Sequence, residues 1–68
     1  MTDHVYKLTE IVGTSTKGSD QAIEAALSRA RGTIRNIRWF EVQATRGFVD
    51  SDGVTNYQVT LKVGFTLD

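Results

Sequence analysis

No cysteine occurs in this chain of 68 residues, and histidine and tryptophan occur once each. The first absence excludes a disulfide and any thiolate metal site. A single His4, with no partner histidine, leaves a histidine-based metal cluster short of ligands. Net charge is missing as well. Eight basic and eight acidic residues cancel, so no global field draws the chain to nucleic acid or to an anionic membrane. No apolar stretch comes near the ~20 residues that a membrane span requires. The opening Met1-Thr2-Asp3-His4 has no basic segment leading into an apolar run. It does not read as a secretory signal, and the cytoplasm is the expected location.

Length is scarce too. A domain of this size buries only about 60% of the surface its unfolded chain exposes. Such domains are commonly held by disulfides, a metal or association with other copies. With the first two closed off, oligomerisation is expected.

What is present is organised around residues 38–47, Arg-Trp-Phe-Glu-Val-Gln-Ala-Thr-Arg-Gly. Phe40, Val42 and Ala44 fall on one side, and Trp39, Glu41, Gln43 and Thr45 on the other, the period of a half-buried β-strand. The first side suits a covering helix. The second is polar except for Trp39, the largest π surface in the chain. Such a residue is either capped by another subunit or a platform for a flat partner, and the residues alone leave both readings open.

Upstream, residues 5–12 are rich in β-branched and aromatic types and predict a first strand, followed by a loop over 13–18. Ser19 is the expected helix N-cap, with Asp20 in the first turn. Ala22, Ile23, Ala26, Leu27, Ala30 and Ile34 then recur on one helical face. Because Ile34 keeps that spacing past Gly32, the helix is expected to run to about Arg35, with Asn36 as a left-handed cap. The organising strand covers residues 37–48. Asp52-Gly53 signals a hairpin, and residues 54–65 return as a strand with Tyr57, Val59, Leu61, Val63 and Phe65 on one side. The fold class is α+β, in the order β-α-β-β: a three-stranded antiparallel sheet with one helix on its apolar face. Gln58 and Trp39 are expected on the polar faces of adjacent strands. There an aromatic plate and an amide that both donates and accepts could act on one ligand.

Other segments carry bland readings. Residues 13–19 have Lys-Gly-Ser where a phosphate loop needs Gly-Lys-Ser/Thr, so an ordinary strand-to-helix loop is expected. Asp50, Asp52 and Gly53 echo the front of a calcium loop but lack its closing Glu and flanking helices, which leaves a hairpin turn. His4 reads as a solvated side chain, and no catalytic role is expected of it. Arg29, Arg31, Arg35, Arg38 and Arg46 are interspersed with Asp20, Glu24 and Glu41, which suits a solvated face or inter-subunit ion pairs better than a phosphate track. No nucleophile–base set or carboxylate pair can be assembled, so no catalysis is expected.

Three blocks together carry a family resemblance. Tyr6-Lys7-Leu8-Thr9-Glu10-Ile11-Val12-Gly13-Thr14-Ser15, Trp39-Phe40-Glu41-Val42, and Tyr57-Gln58-Val59-Thr60-Leu61-Lys62-Val63-Gly64-Phe65 resemble the dodecins, small flavin-binding proteins. The likeness spans nearly the whole chain. It implies a hollow homododecamer that binds flavins in pairs at two-fold axes, with copies of Trp39 sandwiching two isoalloxazine rings. Gln58 matches the residue that hydrogen-bonds the pyrimidine edge. Arg46 matches a position near the ligand's phosphate or ribityl end. FMN is the implied cofactor, riboflavin and FAD are alternatives, and coenzyme A is a further ligand with no residues placed. The implied role is flavin storage and photoprotection, with neither nucleic acid nor membrane as a partner. Two rivals remain: a nucleic-acid-binding sheet in which Trp39 stacks a base, and a subunit of a flavin-dependent redox enzyme.

Overall fold

The computed structural model describes residues 3–67; Met1 and Thr2, which belong to the segment read for a leader, and Asp68 lie outside them. Four elements follow in the expected order: β1 (Tyr6–Ser15), α1 (Ser19–Ala30), β2 (Ile37–Val49) and β3 (Thr55–Thr66). The sheet is antiparallel with strand order β1-β3-β2, so the last strand lies in the middle. That position explains why Val59, Leu61 and Val63 of β3 are the largest fully buried side chains.

The helix lies over β1 and β3. It presents Ala22, Ala26 and Ala30 as its buried residues, and these small side chains let the two backbones come close. Gly13 is the matching feature of β1. A Cβ there would stand 2.8 Å from Ala26 Cβ and nearer still to the Ala22 carbonyl oxygen, so only glycine fits beneath the helix. Gly13, Thr14 and Ser15 were expected in a loop, yet they pair with Val59, Gln58 and Tyr57. The ladder to β3 overrides their loop-like composition.

Both helix ends differ from expectation. Gly18, not Ser19, is the N-cap, and no side chain caps the start, although Asp20 does sit in the first turn. The helix stops at Ala30 instead of reaching Arg35. Tighter turns interrupt it, with Gly32 N donating to Arg29 O at 3.1 Å and Thr33 N to Ala30 O at 3.0 Å, while Ile34 N still reaches Ala30 O, four residues back, at 2.7 Å. Ile34 keeps a helix-like spacing because this turn continues the coil for a few residues. Asn36 is left-handed as expected (φ 61°), but it turns the chain into β2 and does not cap the helix.

Two bulges interrupt the alternation of β2. Ile37 pairs with Phe65 and Trp39 with Gly64, which leaves Arg38 extra. Val42 pairs with Leu61 and Ala44 with Thr60, which leaves Gln43 extra. Each extra residue moves every later side chain to the opposite face. Phe40 and Val42 therefore share the helix side with Val63 and Leu61, as expected, whereas Ala44 goes to the open face and Thr45 to the helix side. The helix does not cover this part of β2, and Phe40 and Val42 are each 44% exposed.

The hairpin is built as read. Gly53 adopts φ 79°, and the Asp50 carboxylate accepts from the backbone N–H of Asp52 and of Val54, both at 3.0 Å. Asp50 is thereby committed to the turn. The radius of gyration is 14.2 Å, against about 11 Å for a compact domain of this length. The accessible surface is 5045 Å², where a compact monomer of 7.5 kDa shows about 4250 Å². The protomer is a long slab of 55 × 20 × 15 Å that leaves much of its sheet uncovered.

Candidate functional site

The open face carries Trp39 at one end, directly after the Arg38 bulge. Its neighbour on β3 is Gly64. A Cβ at position 64 would lie no more than 2.5 Å from Cε2, Cζ2 and Cη2 of the indole. An edge-on ring would place one of three consecutive ring atoms clearly nearer than the other two. Their near-equal distances mean that the indole lies face-down on the glycine backbone. Its benzo ring occupies the space a side chain would otherwise fill. Tyr6, from β1, meets the indole almost perpendicularly, with ring centroids 4.9 Å apart and an interplanar angle of 73°. Such an edge contact contributes on the order of 1 kcal/mol beyond area burial. One face of Trp39 is thus backed by the sheet, and Tyr6 reaches in from β1 to stand nearly perpendicular to the indole. The residue remains 40% exposed.

Gln58 and Arg46 lie toward the other end of the same face, in the row Thr14–Gln58–Arg46 across the three strands. Strict alternation along β2 would have put Arg46 with Phe40 and Val42 on the helix side. The Gln43 bulge brings it to Gln58. Trp39 and Gln58 are not brought together. Gly64, beside Trp39, is six residues along β3 from Gln58, a separation of about 20 Å at the rise of a strand. One chain therefore supplies a stacking plate at one end and a polar pair at the other, and cannot offer both to a single flat ring.

Gly64 and Tyr6 are the residues that sequence reasoning missed. A glycine inside a β-strand pattern is a signal for close approach of another group, so Gly64 was findable. Tyr6 was not, because its contact with Trp39 crosses the central strand.

The remaining candidates fall away from this face or into structure. Arg31, Arg35 and Arg38 line a groove of about 670 Å³ beside Trp39 and Phe40 on the helix side, while Arg46 lies far along the open face, so the arginines form no single track. The segment compared with a phosphate loop is strand as far as Ser15. His4 is exposed, and its ring centroid is 6.3 Å from that of Tyr6. Among the described residues no group of three His, Cys, Asp or Glu side chains could hold a metal ion, and no helix is long and apolar enough to cross a membrane.

Comparison with known proteins points one way. The Dodecin family model matches residues 5–68. A dodecin of Thermus thermophilus is 55% identical over 64 residues, covering 94% of this chain and 93% of that protein. The solved structure of a dodecin from Streptomyces davaonensis, 48% identical, superposes with a TM-score of 0.91 over 98% of both chains. A Mycobacterium tuberculosis relative called calcium dodecin is 38% identical over 63 residues, or 93% of this chain and 89% of its own length. Its crystal structure, described as having a novel calcium-binding site, superposes with a TM-score of 0.85 over 94% of this chain and 91% of that one.

Proposed function

The chain belongs to the dodecin family, and from that premise we propose that it binds flavin between copies of itself and stores it. The observation that carries this reading is the Trp39 indole laid face-down on Gly64 and still 40% exposed. A backed, half-exposed indole is a stacking plate for a flat ring system.

The separation of Trp39 from Gln58 fits a site completed by a second protomer. Two open faces related by a two-fold axis can set the Trp39 plate of one copy against the Gln58–Arg46 pair of the other, and each axis then holds two equivalent plates. Gln58 suits the pyrimidine edge of a flavin, which presents both donors and acceptors. Arg46 suits a phosphate, which favours FMN over riboflavin. The uncovered Phe40 and Val42, together with the excess surface of the protomer, support burial against further copies. The expected assembly is the hollow dodecamer of the family.

Bound flavin would supply a redox-active, light-absorbing ring. Trp39 stacked on it is an electron donor to the excited state, so the complex should be dark and photochemically quiet. Enclosure between plates leaves little room for hydride exchange with a substrate. The role is storage and sequestration, not turnover.

The test is Trp39→Ala. The assembly should keep its size, flavin affinity should fall, and flavin fluorescence should return. Unchanged quenching in that variant removes Trp39 from the site. Ranking FMN, riboflavin and FAD in the same titration assigns the cofactor, and displacement by coenzyme A tests it as a second ligand. Oligonucleotide binding that weakens steeply with salt would favour the nucleic-acid rival instead.

A further inference from the structure

We propose that Tyr6 is a positioning residue: it holds the Trp39 indole in the one orientation that leaves a single face free, a role that rests on the stacking reading above. The two residues stand on the outer strands. Tyr6 is opposite Thr66 and Trp39 is opposite Gly64, with β3 between them. Outer strands of a three-stranded sheet run about 10 Å apart. The rings meet only because both lean inward over the central strand, above the place where Gly64 has no side chain.

Gly64 restrains the indole in one direction only. The glycine backbone stops the ring from sinking further into the sheet, but it does not stop the ring from sliding or pivoting across the face. The near-perpendicular Tyr6 ring, with its centroid 4.9 Å away, blocks the side toward β1. Each partner contributes a different restraint. Together they convert a half-exposed side chain on an edge strand into a fixed plate. A plate ordered before the ligand arrives loses less freedom on binding, and one such side chain is worth about a two- to tenfold gain in affinity.

The contact uses the ring of Tyr6 and not its hydroxyl, which separates positioning from hydrogen bonding. Tyr6→Phe should keep parental behaviour. Tyr6→Val and Tyr6→Thr retain strand-compatible side chains and remove the ring. Because Trp39 is the only tryptophan, its order can be read without flavin, from near-ultraviolet circular dichroism and from the fast component of time-resolved fluorescence anisotropy. In the Val and Thr variants the tryptophan dichroism should collapse and the fast component should grow, while particle size stays parental and FMN affinity falls about two- to tenfold. An assembled Val or Thr variant with parental dichroism, anisotropy and affinity overturns the proposal. So does failure of both variants to assemble, which would make Tyr6 an assembly residue, and so does loss of order in Tyr6→Phe. If the parent itself binds no flavin, the functional reading fails, but the flavin-free signals still decide whether Tyr6 fixes the indole.

Discussion

Replacing Gly64 by alanine adds one methyl group, at a point already occupied by Trp39. The farthest of the three indole carbons is 2.5 Å from that point. Carbon atoms pack best at about 3.5–4.0 Å, so the ring must rise by at least about 1 Å or swing off the strand. Overpacking of this kind costs about 1–3 kcal/mol when the neighbour cannot move. Gly64 and Tyr6 oppose sinking and sliding but not lifting, so without ligand the 40% exposed ring can rise off the sheet to make room. Alanine also recovers about 0.5–1 kcal/mol over glycine within a strand. Thermal stability should therefore change little. A bound complex has no such escape, because the stack requires a ring lying flat at a set height. If the whole penalty falls there, affinity drops by about 5- to 140-fold, at about 1.4 kcal/mol per decade. The assay is a titration of FMN with purified Gly64→Ala, read as loss of flavin emission. Particle size and melting temperature are measured in parallel. Adding Trp39→Phe to the variant closes a double-mutant cycle: a smaller ring should make the methyl group at position 64 less disruptive, giving a measurable coupling. Parental affinity together with an unchanged tryptophan dichroism in Gly64→Ala would refute the face-down placement.

The polar end of the face should respond differently. Gln58→Ala should weaken every flavin by about 1–3 kcal/mol, through a ring-edge group left unpaired, as titration of FMN and riboflavin will check. Arg46→Ala should weaken FMN while leaving riboflavin nearly unchanged, and equal losses for both ligands would take Arg46 away from the phosphate. Gly13→Ala should act on the fold rather than on the ligand. A methyl group there meets Ala26 Cβ at 2.8 Å and the helix backbone more closely still, so a melting experiment should show about 1–3 kcal/mol of destabilisation.

Why some of this was legible in advance follows from range. The period-two pattern of β3 is local, and it correctly placed Val59, Leu61 and Val63 on one side. The helical spacing of Ala22, Ala26 and Ala30 correctly gave the buried face of α1. The Asp-Gly hairpin was equally local. The helix end was misjudged because Ile34 keeps a helical interval through a turn whose hydrogen bonds have already tightened at Ala30. Residues 13–15 were misjudged because loop-like composition yields to a free partner strand.

The sequence by itself determined the class of the fold, made Trp39 the one indole in the chain, and excluded a disulfide or a thiolate metal site. It did so through chemistry that each residue carries alone and through periodicities spanning a few neighbours. Only the tertiary structure decided which side chains share a face. The bulges at Arg38 and Gln43 are visible only in the pairing of β2 with β3, and one of them carries Arg46 across to Gln58. Tertiary structure also separated Trp39 from Gln58 and brought Tyr6 and Gly64 to the indole. The physical reason is that register is a property of two strands together, and a one-residue slip, which leaves composition untouched, reverses every side chain beyond it.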